Sequence, residues 1–110
     1  MEPIIIPTNK GLQVYNADNI IRIQGMSNYS KIYFADGSYP LTIAKLLHWF
    51  EDRLPSGIFW RTHKTHLVNT RYIKQLPDSQ KHYLILNNGE TVAVSRRRVA
   101  KGLLYKKSRS

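Results

Sequence analysis

The chain of 110 residues contains no cysteine, so disulfides and thiolate metal sites are excluded and a reducing compartment is permitted. It has no apolar run approaching the ~20 residues that cross a bilayer. Its first residues, Met-Glu-Pro-Ile-Ile-Ile-Pro, put an acid where a signal peptide carries positive charge. A cytoplasmic protein without a membrane partner is the expectation. Acids are scarce in one half only. Residues 1–58 balance five Lys/Arg against five Asp/Glu, whereas residues 59–110 hold twelve Lys/Arg against Asp78 and Glu90 alone. The formal charge of +10 therefore belongs to the second half, a placement that points to a polyanionic partner.

What is there is densest between Phe59 and Asn69, Phe-Trp-Arg-Thr-His-Lys-Thr-His-Leu-Val-Asn. Strand alternation puts Arg61, His63, Thr65 and Leu67 on one face and Thr62, Lys64, His66 and Val68 on the other, so neither face is a plain core face. The segment is expected to be a short strand or loop, anchored by Phe59-Trp60 and Leu67-Val68, with its cationic middle turned to a partner.

The remaining chain reads as eight to ten short antiparallel strands, a mainly β fold. Ile4–Ile6 lies between Pro3 and Pro7 as an edge strand. Leu12–Tyr15, Ile20–Gln24 and Tyr29–Phe34 follow, with Gly25-Met26-Ser27-Asn28 as a break and Asp36-Gly37 turning the chain toward Ser38–Leu41. Asn87-Asn88-Gly89-Glu90 joins Lys81–Leu86 to Thr91–Val94 in the same way. Ile43, Leu46, Leu47, Phe50 and Leu54 form one apolar stripe at helical spacing, predicting a helix over 43–54 capped by Thr42 and stopped at Pro55. A short helix over 96–104, capped by Ser95, is expected at the end of the chain. The length fits one domain, 1–110.

Catalytic chemistry finds little support. His63 and His66 fall on opposite faces if the chain is extended, and no acid near them orients an imidazole, so a ribonuclease built on them with Lys64 is disfavoured. His-x-x-His without Cys or carboxylate does not make a zinc site. Glu51 and Asp52 are neighbours on a helix and point apart. No nucleotide-binding or nucleophile-elbow motif is present. Neither an enzyme nor a cofactor or metal is expected. Nucleic-acid binding fares better. Arg61 with Lys64, and Arg96-Arg97-Arg98, each sit beside an apolar anchor, and arginine can read guanine while lysine more often neutralises phosphate. Three consecutive arginines in a helix stand ~100° apart and spread over ~200° of azimuth, so one or two face DNA.

Taken together, Phe59, Arg61, His63-Lys64-Thr65, Leu67-Val68-Asn69, Ile73, Asn88-Gly89 and Val92-Ala93-Val94-Ser95-Arg96-Arg97 resemble the signature of the LytTR-type DNA-binding domain. Ile21, Ile23 and Asn28-Tyr29 match its early strand and loop, so the motif-bearing part covers about 11–105. The resemblance implies an elongated all-β DNA binder, the output domain of bacterial two-component response regulators, whose loops enter successive major grooves at paired direct repeats. Carried over by position, Lys64 and Arg97 match contact positions and Asn28-Tyr29-Ser30-Lys31 matches a groove-entering loop. Asn69 is assigned mainly to turn stabilisation. His66 departs from the aromatic residue common at its position, and no receiver domain is present in these residues.

The leading expectation is a sequence-specific regulator of transcription on double-stranded DNA, able to pair as a homodimer there. In it Lys31, Arg61, Lys64 and Arg98 hold the backbone, while Arg97 and the Asn28–Ser30 loop reach base edges and Arg96 joins the basic face. The alternative is an RNA or single-strand binding module in which Tyr29, Tyr33, Trp60 and Tyr83 stack on bases.

Overall fold

The computed structural model describes residues 3–98, which form ten strands in three antiparallel sheets. The central sheet has five strands in the order β5-β4-β3-β7-β6: β3 Ile20–Met26, β4 Tyr29–Phe34, β5 Leu41–Ile43, β6 Phe59–His63 and β7 His66–Asn69. A two-stranded ribbon, β1 Pro3–Thr8 with β2 Gly11–Asn16, covers one of its faces. A three-stranded sheet of β8 Ile73–Gln75, β9 Tyr83–Leu86 and β10 Thr91–Ala93 covers the other.

Two cores result, one on each face. Ile4, Ile6, Ile20, Ile23, Ile32, Phe59 and Leu67 pack with helix α1 Leu47–Glu51 on the first side. Trp60, Val68, Leu84, Leu86, Val92 and Val94 fill the second. This double burial explains why neither face of Phe59–Asn69 reads as the single core face: adjacent residues, Phe59 with Trp60 and Leu67 with Val68, enter different cores. The segment is two strands joined by a Lys64-Thr65 turn, where a single strand or loop was expected.

The helix is a second correction. Only Leu47–Glu51 is helical, and Leu41–Ile43 is drawn into β5, where Ile43 pairs with Ser30 and Thr42 with Lys31. Thr42 caps nothing, and the cap position falls to Leu46, whose side chain makes no capping hydrogen bond. Of the apolar stripe, Ile43, Leu47, Phe50 and Leu54 are buried but Leu46 is 46% exposed. Helical hydrogen bonding gives way to single turns that reach Leu54, ahead of Pro55. The hairpin partner of β4 is accordingly 41–43 and not 38–41. Residues 96–98 are helical, and the remainder of the expected terminal helix, 99–104, lies outside the described residues.

Arg22 ties the central sheet to the second one. Its guanidinium carbon lies 3.8 Å from the centroid of the Tyr33 ring, and its Nη2 is 3.0 Å from Glu90 Oε2, beside the Asn88-Gly89 turn. That hydrogen bond holds the Glu90 carboxyl below its ordinary value. Gly89 has φ +90°, as the tight β9–β10 turn requires.

Candidate nucleic-acid interface

One end of the central sheet collects most of the residues singled out by sequence. The β3–β4 turn pairs Met26 with Tyr29 and leaves Ser27 and Asn28 at its tip, Ser27 at φ +52°. Because β3 and β7 are adjacent and antiparallel, the β6–β7 turn lies at the same end, with Gly25 N donating to Thr65 O at 2.8 Å. Helix α1 begins there as well. A β-carbon built on Gly25 would stand 3.1 Å from Leu47 Cδ1, so a larger residue there would press on the leucine where α1 meets β3.

The β6–β7 turn has no residue usually associated with hairpins, and its geometry comes from side chains. Neither Lys64 nor Thr65 has positive φ, so the turn is not of the primed type that matches strand twist, and the mismatch is absorbed by a register shift between Arg61 and His63. His63 Nδ1 accepts from Thr65 N at 3.2 Å and lies 2.9 Å from Thr65 Oγ1, closing the turn as an Asx side chain would. Arg61 completes it. Its Nε donates to His63 O at 2.9 Å and its Nη2 to Lys64 O at 2.6 Å, while Nη1 is 2.8 Å from Glu51 Oε1 on α1. Arg61, expected to hold DNA phosphates, has each of its three nitrogens engaged with the turn or the helix. It positions Lys64, which is exposed at the tip.

The arginine run is fastened to the same hairpin. Ser95 N donates to Thr62 O at 2.8 Å, Arg98 N donates to Ser95 O at 2.9 Å, and Arg98 Nη1 donates to Arg61 O at 2.6 Å. Arg98 is thus half-buried and bound to β6, whereas Arg96 and Arg97 are exposed. Three segments distant in sequence, Ser27–Lys31, Lys64-Thr65 and Ser95–Arg98, converge on one end and edge of the central sheet.

Within the first segment the side chains divide. Asn28 is exposed, while Tyr29 and Lys31 are partly buried, with Lys31 Nζ 5.6 Å from the Tyr33 ring centroid. Ser30 is fully buried, and its hydroxyl donates to Lys45 O at 2.7 Å, so it fixes the chain after β5 and offers no surface to a base. Asn69, also fully buried, donates to Ile20 O at 3.1 Å and accepts from Arg71 N at 3.0 Å, capping the turn after β7.

The histidines meet across the turn instead of pointing apart, with ring centroids 5.8 Å from each other. Burial, with the Arg22 guanidinium and His63 nearby, pushes the His66 imidazole down to about 4. It stays neutral under ordinary conditions. Among the described residues, no group of three or more His, Asp or Glu side chains could hold a metal ion. No described helix is long and apolar enough to cross a membrane. The stacking platform required by the single-strand alternative is not assembled: Trp60 is buried between sheets and the Tyr33 ring lies under Arg22.

An all-β domain with a cationic end formed by hairpin turns is the class these features define. Residues 10–103 match the model of the LytTr DNA-binding domain, and the chain belongs to that family. It is 26% identical over 95 residues to the sensory transduction protein LytT of Bacillus subtilis (strain 168), an overlap of 84% of this chain and 39% of that protein. The chain therefore spans about two-fifths of the length of that relative. Its fold matches a solved LytTr DNA-binding domain, described as that of a methyl-accepting/DNA response regulator from Bacillus cereus. The TM-score is 0.73 at 24% identity, covering 94% of this chain and 97% of that one.

Proposed function

We propose that the chain is a sequence-specific binder of double-stranded DNA that regulates transcription, and that residues 1–110 act as one output module. The observation that carries this reading is the convergence of the β3–β4 loop, the Lys64 turn and the Arg96-Arg97 segment, the first joined to the turn by the Gly25–Thr65 hydrogen bond and the last through Arg61 and Thr62. In this reading the loop around Asn28 and Tyr29 enters one major groove and Arg97 the next. Lys64, Lys31 and Arg96 neutralise phosphates along the way. Arg61, Arg98 and Ser30 serve by positioning. Two copies on paired direct repeats, and a receiver domain or sensor partner supplying the signal, complete the proposal.

Binding to a duplex, to its separated strands and to RNA of the same composition at ~150 mM salt tests the reading, because unspecific ionic binding weakens steeply by that concentration. Retained preference for particular duplexes supports it. Equal or tighter binding to single strands or RNA overturns it in favour of the single-strand module.

A further inference from the structure

At the cationic end one residue is out of character. Leu46 occupies the cap position of α1, where Ser, Thr, Asp or Asn would hydrogen-bond the first turn, and it contributes no such bond. Its backbone is extended (φ −79°, ψ 162°), and only its carbonyl serves the helix, accepting from Trp49 N at 3.0 Å. Nor does the core need it. Leu47 beside it is 4% exposed and fills the space over Gly25, while Leu46 keeps 46% of its surface in solvent.

That surface lies where the proposed DNA contacts are. A hollow of about 260 Å³ is lined by Gly25 and Ser27 of the β3–β4 turn, Leu46 and Leu47 of α1, and Lys64 and Thr65 of the β6–β7 turn. Lys64 on its rim supplies the charge complementarity that brings a polyanion to this end. In the major groove the C5-methyl of thymine is the one apolar feature a base pair presents, and apolar side chains contact it.

We infer that Leu46 is a specificity-determining residue that reads a thymine methyl in the major groove next to the β3–β4 loop. The inference rests on the proposed duplex binding. It adds to that reading a residue outside the three cationic segments and a base for it to choose. Lys64 anchors the phosphate backbone, and the leucine favours a T·A pair at one position because only there is its exposed surface covered by a methyl group.

The test uses a duplex selected by the chain from a random pool, with each thymine replaced singly by deoxyuridine, which removes the methyl and keeps every hydrogen-bonding group. For the unaltered chain, one replacement should weaken binding about fourfold, the effect of losing one buried methyl. Leu46→Ala should bind the thymine and uracil duplexes equally, near the weaker level. Leu46→Asn should do the same while restoring a capping side chain, which keeps the readout intact if the alanine variant unfolds. Indifference of the unaltered chain to uracil at every position would overturn the inference and leave duplex recognition standing. A uracil penalty that persists in both variants would also overturn it. If no duplex is selected, the reading of the site fails first and takes the inference with it.

Discussion

Arg98 Nη1 donates to the backbone carbonyl of Arg61 at 2.6 Å, and Arg61 in turn donates to the carbonyls of His63 and Lys64. Both residues, expected from sequence to grip phosphate, also form a chain of braces from the arginine run to the tip of the β6–β7 hairpin. A cation whose donors point at the chain's own backbone fixes where the tip of the hairpin and the start of the arginine run stand.

Arg61→Ala should therefore cost stability as well as binding. Loss of hydrogen bonds from a charged group to backbone carbonyls is worth about 1–3 kcal/mol, measurable by denaturant unfolding. Glu51→Gln removes only the exposed half of the Arg61 ion pair and should cost no more than ~1 kcal/mol. Equal losses for the two variants would mean that the ion pair, and not the carbonyl contacts, holds the turn.

Lys64 and Arg97 should separate in a salt titration. Lys64→Ala is expected to weaken every duplex alike and to reduce the salt slope by about one unit. Arg97→Ala should cost about 1–3 kcal/mol on the preferred sequence and relax discrimination at one base pair. An unchanged slope for the lysine variant would place Lys64 away from phosphate.

Gly25→Ala should disturb α1 without straining the backbone, since the added carbon meets Leu47 at 3.1 Å and Gly25 is not at positive φ. Overpacking of this kind costs about 1–3 kcal/mol. Thermal unfolding should show the loss, and duplex affinity should drop with it because Leu46 and Lys64 flank the displaced helix start.

Acid sensitivity should come partly from His66. Its folded value, about 4, lies below its ordinary 6.5, so the unfolded chain binds the extra proton first. The sign follows: stability tied to His66 is complete above pH 6.5 and declines as pH falls toward 4. Since the side chain is only half-buried, the change is on the order of 1 kcal/mol after solvent screening. Unfolding midpoints of His66→Gln between pH 4 and 6.5 should be flatter than those of the unaltered chain, and parallel curves would refute the assignment. The lowered carboxyls of Asp36 and Asp78 act mainly below that window, whereas Glu90, ordinarily at 4.5, overlaps its acid end in both chains and so cancels in the comparison.

Much of this architecture was legible in the sequence where a local signal coincides with the fold. Asn88-Gly89 forms the β9–β10 turn with Gly89 at positive φ, and Tyr29–Phe34 is β4 as its β-branched and aromatic residues suggest. The misses arise where distant partners decide. Ile43 fits a helical stripe, but the free edge of β4 captures it as a strand. The β6–β7 turn has no Gly or Asn because His63 and Arg61 supply its hydrogen bonds, a role visible only once the strands have paired. Ser30 sits in a polar loop motif yet points inward at Lys45 O. The exposed leucine at the helix start was hidden by the same stripe that suggested a longer helix.

The proposed function requires this cationic end to recognise a particular duplex sequence. Selection from a pool of random duplex DNA at ~150 mM salt, followed by sequencing of the bound fraction, tests it most directly. Sequence-specific recognition should yield an enriched motif, present as a repeat spaced by about one helical turn. A pool that stays random, with binding that vanishes as salt rises, would contradict it and leave only a basic surface.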